Sequence, residues 1–117
     1  MALLWSDLVI EIINRLEIIN IIGEPFKIKT RIKNIDLINT TNFSYKIHVT
    51  GGLFGKINQI KEGNVTDLAP GAINTIEVTP IIGFGPIKIE ATLEVENTQD
   101  ITQETVGFVF LFFVVVN

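Results

Sequence analysis

The feature that most constrains the fold of this chain is a strict alternation of apolar and polar residues over short runs. Along 26–33, one set of alternate positions holds Phe, Ile, Thr and Ile, and the other set is wholly cationic. Along 87–96 one set is wholly apolar and the other mostly acidic, and 43–50 alternates in the same way. Because successive side chains of a strand point to opposite faces, the pattern predicts strands that each bury one face. A shift of one residue would expose every apolar side chain, so each register is strongly specified.

Residues that favour turns separate these runs, with Gly, Pro, Asn and Asp concentrated at 39–42, 51–52, 62–64, 69–71, 83–86 and 96–100. The sequence predicts strands at 7–13, 16–22, 25–34, 43–50, 53–60, 72–79, 86–96 and 105–116, with 64–68 as a short edge piece. The connections are too short for crossover helices, so the strands should be antiparallel. Seven to nine such strands predict an all-β sandwich of two sheets.

We interpret residues 1–117 as a single domain in which 1–22 is an N-terminal extension or the first strands. A helix competes with a strand between Ser6 and Leu16, since Ser6 could cap it and Asp7 would favour its first turn. Ile and Val dominate the stretch and favour the strand.

Composition excludes several classes of function. The 117 residues contain 9 Lys plus Arg against 13 Asp plus Glu, a net charge of −4, which argues against a nucleic acid partner. With no Cys, the chain has no disulfide, thiolate nucleophile or Cys-bound metal. The apolar run Val106–Val116 is about half the length of the roughly 20 residues that a membrane-spanning helix needs, so no membrane span is predicted.

Four motifs follow one another along the chain. Gly23-Glu24-Pro25-Phe26 precedes a strand that ends at Asn34, and Gly51-Gly52 follows the 43–50 strand. The stretch from Gly63 to Gly71 ends in Leu68-Ala69-Pro70-Gly71, and Gly83-Phe84-Gly85-Pro86 leads into the 86–96 strand. In this order they resemble the motifs of bacterial and archaeal immunoglobulin-like surface modules of the CARDB kind, in which the Asn closes the second strand, the Pro-Gly turn precedes the next strand and the last motif opens the sixth. Gly51-Gly52 is similar to an archaeal variant of that family.

This resemblance implies an immunoglobulin-like sandwich from a larger exported or cell-surface prokaryotic protein, with an extracellular location and no catalytic signature. The chain departs from the family at its end, where Val106–Leu111 replaces an acidic Asn-Asn ending.

No residue pattern points to catalysis, and we predict neither a cofactor nor a metal. His48 is the only histidine and lies on the polar face of its strand, without the positioned nucleophile that a triad needs. Even spacing puts Glu90, Glu94 and Glu96 on one outward face rather than across a cleft. A loop calcium site formed by Asp67, Glu96 or Asp100 is an alternative to solvated carboxylates. The glycine clusters lead into strands, unlike a phosphate-binding loop.

Three asparagines, Asn39, Asn42 and Asn64, begin N-glycosylation sequons in or beside predicted turns. They would be modified only if the chain is exported. The cationic 26–33 strand and the acidic 87–96 strand should lie in opposite sheets, so that the two outer faces carry opposite charge and could orient neighbouring modules.

The predicted last strand, 105–116, is apolar on both faces, whereas an isolated sandwich shows one face to water. We predict that Val109, Leu111 and Phe113 share a face that is covered by the N-terminal segment, by a second copy of the chain or by a neighbouring module.

These observations favour a non-catalytic structural or adhesive module of a larger surface protein over an enzyme. The alternative is a carbohydrate-binding module of a secreted hydrolase, in which Trp5, Phe54 or Phe84 would stack on sugar.

Overall fold

A computed structural model describes residues 16–36, 42–95 and 100–117 of the chain. Within these ranges the chain forms eight strands and one 3-10 turn, Leu53–Gly55. The strands are β1 (Leu16–Glu24), β2 (Lys27–Asn34), β3 (Phe43–Gly51), β4 (Ile57–Val65), β5 (Ile73–Val78), β6 (Gly83–Val95), β7 (Ile101–Leu111) and β8 (Phe113–Val116).

The eight strands form two antiparallel sheets that pack as an immunoglobulin-like sandwich. One sheet has the order β1-β2-β5, and the other has the order β4-β3-β6-β7-β8. The predicted all-β, two-sheet architecture is confirmed, and so is the placement of β2 and β6 in opposite sheets. The strand predicted at 7–13 lies outside the described residues. So does the helix considered from Ser6, except for Leu16, which begins β1.

Alternation places the core where the sequence predicts it. Ile28 and Ile32 of β2 face Ile47, Ile89 and Leu93 of the other sheet, and all five side chains are fully buried. Tyr45 occupies the same alternating set of positions in β3 as Ile47, which predicts a core position, but it is only half-buried, because its hydroxyl extends over Gly63 on edge strand β4. Since burial of apolar area is the dominant favourable term in folding, these five aliphatic side chains hold the two sheets together.

One end of the sandwich is organised by the buried side chain of Asn34, and we call it the Asn34 end. The Asn34 Nδ2 donates to the Leu68 carbonyl at 2.8 Å, and the backbone N–H of Asp36 donates to Asn34 Oδ1 at 2.9 Å. The Asn34 backbone adds bonds to Ala72 and Gly71. This residue therefore fastens the end of β2 to the loop before β5.

The opposite end is organised by the backbone of Phe26, and we call it the Phe26 end. The Phe26 N–H donates to the Phe112 carbonyl at 2.8 Å, while its carbonyl accepts from the Ile81 N–H at 2.7 Å and the Thr79 hydroxyl at 3.2 Å. The rings of Phe26 and Phe112 stack with centroids 4.7 Å apart. One residue thus joins the β1–β2 turn to the β5–β6 and β7–β8 connections.

Three strand predictions were wrong, and residues with positive φ account for the first and the last of them. The strand expected at 53–60 begins at Ile57 and runs to Val65, because Gly52 and Phe54 have φ of 74° and 59° and form a turn first. The edge piece expected at 64–68 is only the end of β4. The strand expected at 105–116 is two strands, since the chain reverses between Phe110 and Phe113.

The reversal at Leu111-Phe112 has no Gly, Pro, Asn or Asp to mark it in the sequence. Leu111 has φ of 60°, which costs an ordinary L-residue about 1–2 kcal/mol. The stacking and hydrogen bond that Phe112 makes with Phe26 offset this cost. A tertiary contact therefore stabilises a turn that local sequence does not favour.

The short strand β8 also closes the side of the sandwich, because it packs against β1 of the other sheet. Gly23 of β1 approaches the backbone so closely that a Cβ there would lie 2.4 Å from the Val114 carbonyl oxygen. Only glycine permits this approach, which brings β8 into the core through Val114.

We expect Ile89→Ala to lower the free energy of unfolding by about 2–5 kcal/mol, since the substitution removes buried methyl groups and leaves a cavity between the sheets. Urea titration followed by circular dichroism measures it. Ile60→Ala on the exposed face of β4 is the control and should change stability by about 0.5 kcal/mol or less. Equal effects of the two substitutions would contradict the assigned core.

Asn34→Ala should destabilise the fold by about 2–4 kcal/mol, because it leaves the Leu68 carbonyl and the Asp36 N–H without the Asn34 side chain. Asn58→Ala is the matched control, since Asn58 is exposed and its side chain bonds the His48 ring at the surface. The same urea titration applies, and a loss below about 1 kcal/mol at Asn34, the level of a surface change, would count against its role.

Candidate functional site

The last segment forms a hairpin of β7 and β8 instead of the single predicted strand, so a different set of its side chains is exposed. Val109 and its cross-strand partner Val114 point into the core, with Val109 fully buried. Leu111 is in the turn, and Phe113 lies on the outer face, where 53% of it is exposed. The expectation that Val109, Leu111 and Phe113 share one face was therefore wrong, because it assumed an uninterrupted strand.

Six apolar side chains instead form a continuous patch on the outer face of the five-stranded sheet, and we call it the aromatic face. Its members come from β6, β7 and β8, and they are Phe84, Val106, Phe108, Phe110, Phe113 and Val115. Phe110 pairs in register with Phe84 on one side and Phe113 on the other, and Phe108 pairs with Val115. The Phe84 and Phe110 rings meet edge to face at 5.2 Å. Phe108 and Phe110 remain 50% and 60% exposed.

An apolar hollow adjoins the aromatic face at the Phe26 end. Leu53, Phe54, Ile82 and Phe84 line most of a cavity of about 320 Å³, with Lys56 as its charged member. Phe54 projects from the 3-10 turn and is 91% exposed. Phe84 belongs to both surfaces, so the two form one apolar region.

Charged side chains border the aromatic face toward the Asn34 end. Lys88 Nζ lies 3.2 Å from Glu90 and 3.5 Å from Glu104. The hydrogen bond that the Lys88 ammonium donates to Glu90, followed by the negative charge of Glu104, raises the pKa of Lys88, so the ammonium stays charged. The outward row of β6 thus changes from apolar to ionic at Lys88.

The outer face of the three-stranded sheet carries the expected lysines and arginine of β2, but it is partly neutralised. Lys29 Nζ lies 3.1 Å from Glu24 and 3.8 Å from Glu77, and Lys27 Nζ lies 3.7 Å from Glu77. Exposed pairs of this kind contribute about 0–1 kcal/mol each. Their effect is to reduce the positive charge that this face presents.

The candidate catalytic and metal residues lie on the outer face of the five-stranded sheet and in a loop, and His48 of β3 is paired directly with Glu90 of β6. His48 Nε2 shares a 2.8 Å hydrogen bond with the amide oxygen of Asn58, not with a carboxylate. Glu90 and Glu94 point outward from β6, and Asp67 lies in the loop before β5. Glu96 lies outside the described residues. Among the described residues, no three His, Asp or Glu come together as a metal site.

Two of the three sequons can be placed. Asn42 is exposed immediately before β3, and Asn64 is exposed near the end of β4. The two sequons are neighbours, because Ser44, the third residue of the Asn42 sequon, donates its hydroxyl to Asn64 Oδ1 at 2.8 Å. Asn39 lies outside the described residues.

The described part of the chain contains no helix with the length and hydropathy to cross a membrane.

Comparisons with known proteins inform the fold only. No protein family model and no curated protein matched the sequence. Among solved structures, the chain is similar to a β-glucuronidase of Bacteroides uniformis, with a TM-score of 0.52 and 14% identity. The match covers 80% of this chain and 12% of that one. This chain therefore spans about one eighth of the length of the structure it resembles.

The unusual hydrophobicity of the last segment was visible in the sequence, but the face predicted to make the contact included Val109, which is buried, and not Phe108 and Phe110, which are exposed. The outward position of Phe84 was recoverable, since it alternates with Gly85 and Ile87. The pairing of Phe110 with Phe113 was not recoverable, because the turn between them lacks a local signal.

We expect Leu111→Gly to stabilise the protein by about 0.5–1 kcal/mol, because positive φ at the first turn position of a hairpin favours glycine. Phe112→Ala should have the opposite sign, since it removes the ring that stacks on Phe26. Thermal unfolding followed by circular dichroism measures both. A loss of stability in Leu111→Gly as large as in Phe112→Ala would contradict the assigned reversal.

Proposed function

We propose that this chain is a non-catalytic structural or adhesive module of a larger exported or cell-surface prokaryotic protein. The observation that carries the proposal is the apolar region, formed by the aromatic face and the hollow, that stays exposed among the described residues. Ordinary monomers leave about 300–600 Å² of contiguous apolar surface at most, and larger patches mark contacts with another body. A module that works by holding its neighbours has a use for such a surface.

The resemblance to CARDB-like modules adds support through residues that are far apart in sequence. Asn34 and Leu68-Ala69-Pro70-Gly71 belong to separate motifs of that resemblance, and they bond to each other at the Asn34 end. The match to one eighth of a much longer polypeptide fits the same proposal, because it is a case of a similar sandwich built into a larger chain.

An extracellular location follows from this proposal. It would make the sequons at Asn39, Asn42 and Asn64 available for glycosylation, and the exposed positions of Asn42 and Asn64 fit that use.

A carbohydrate-binding module is the second candidate, and the exposed Phe54 beside Phe84 favours it, because aromatic rings stack on sugars. The hollow, however, offers a single charged side chain, Lys56, among its lining residues. Sugar recognition depends on several polar groups that fix orientation. The structural role therefore fits the geometry better.

The proposal is tested with an antibody against this chain, used on fractionated cells of the source organism. We expect it to detect a polypeptide much heavier than the 13.0 kDa of these residues, in the surface fraction, and sensitive to protease added outside intact cells. A 13 kDa band confined to the cytosol would contradict it. Affinity electrophoresis with polysaccharides tests the alternative, which predicts retardation that Phe54→Ala abolishes and Ile60→Ala does not.

A further inference from the structure

The apolar region is as large as one side of a stable protein interface. Four half-exposed phenylalanines leave on the order of 400 Å² of ring surface in water, since a fully buried Phe covers roughly 150–250 Å². The two valines and the hollow bring the total toward about 800 Å², which is what each partner buries in a standard interface. The region is also rich in aromatic residues, as interface centres are.

The charges at the border favour a second copy over a lipid surface. Lys88 lies between Glu90 and Glu104, so the border carries both signs. In a symmetric pair, the same patch meets itself, and a border with both signs can place each cation against an anion of the other copy. A net charge of −4 gives no attraction to anionic headgroups.

We propose that the aromatic face is the contact surface of a two-fold symmetric dimer of this chain. The inference deepens the proposed function by naming a partner for the module, and it rests on the same apolar region. Phe108 and Phe110 lie at the centre of the contact, with Phe84, Phe113, Val106 and Val115 around them and Lys88 at the rim.

The hollow adds apolar area to the same contact. Phe54 and Phe84 are two of its walls, and Phe54 is 91% exposed. A partner that covers the aromatic face would therefore bury the exposed ring of Phe54 as well.

The test is the mass of the 117-residue protein in solution, measured by sedimentation equilibrium up to about 100 µM, where even a weak dimer with a micromolar Kd is populated. We expect twice the 13.0 kDa of one chain. The double variant Phe108→Thr, Phe110→Thr should be a folded monomer, because both side chains point outward and Thr suits a strand. Ile60→Thr, exposed on the same sheet but outside the face, should remain a dimer.

Circular dichroism confirms that each variant is folded, and the single variant Phe113→Thr replaces the double variant if that one does not fold. A wild type that is monomeric at every concentration would overturn the proposal. Co-sedimentation of that monomer with neutral phosphatidylcholine vesicles would not change this conclusion. Folded variants that keep the dimer mass would overturn it as well. Neither result bears on cellular location, so the surface-module proposal would stand or fall separately.

Discussion

The Phe26 end of this protein depends on one residue whose backbone is bonded to two other connections. The Phe26 N–H and carbonyl bind Phe112 and Ile81, and its ring stacks on Phe112. These contacts hold the reversal at Leu111-Phe112 against the cost of a positive φ at a leucine. Without them, nothing in the local sequence would stop β7 from continuing as one strand.

The position of this reversal decides which side chains are available for function. Because the chain turns after Phe110, Val109 and Val114 enter the core side by side, and Phe108, Phe110 and Phe113 face outward together. The structure thus divides the apolar side chains of the last segment into a part that stabilises the fold and a part that stays exposed on the outer face.

Most of the fold could be predicted from the sequence, because alternation with a period of two encodes both the strands and their inward faces. Ile28, Ile32, Ile89 and Leu93 are buried for that reason. The candidate site was only half predictable. The excess of apolar residues in 105–116 was visible in the sequence. The turn at Leu111, however, is stabilised by a contact with Phe26, a residue 85 positions earlier, and local sequence cannot predict such a contact. The positive φ of Phe54 was equally unpredictable from local sequence, and it moves the start of β4 to Ile57.

The reversal at Leu111-Phe112 is tested most directly by a nuclear Overhauser spectrum of the methyl groups of Val109 and Val114. In the hairpin these residues are cross-strand partners, with Cβ atoms about 4.5–5.5 Å apart, so strong cross-peaks are expected between their methyl groups. In an uninterrupted strand the same residues would be separated by about 16 Å, at roughly 3.3 Å per residue, and no cross-peak could form. Cross-peaks would support the reversal and the aromatic face it creates. Their absence, with sequential contacts of a continuous strand through Leu111 and Phe112, would contradict both.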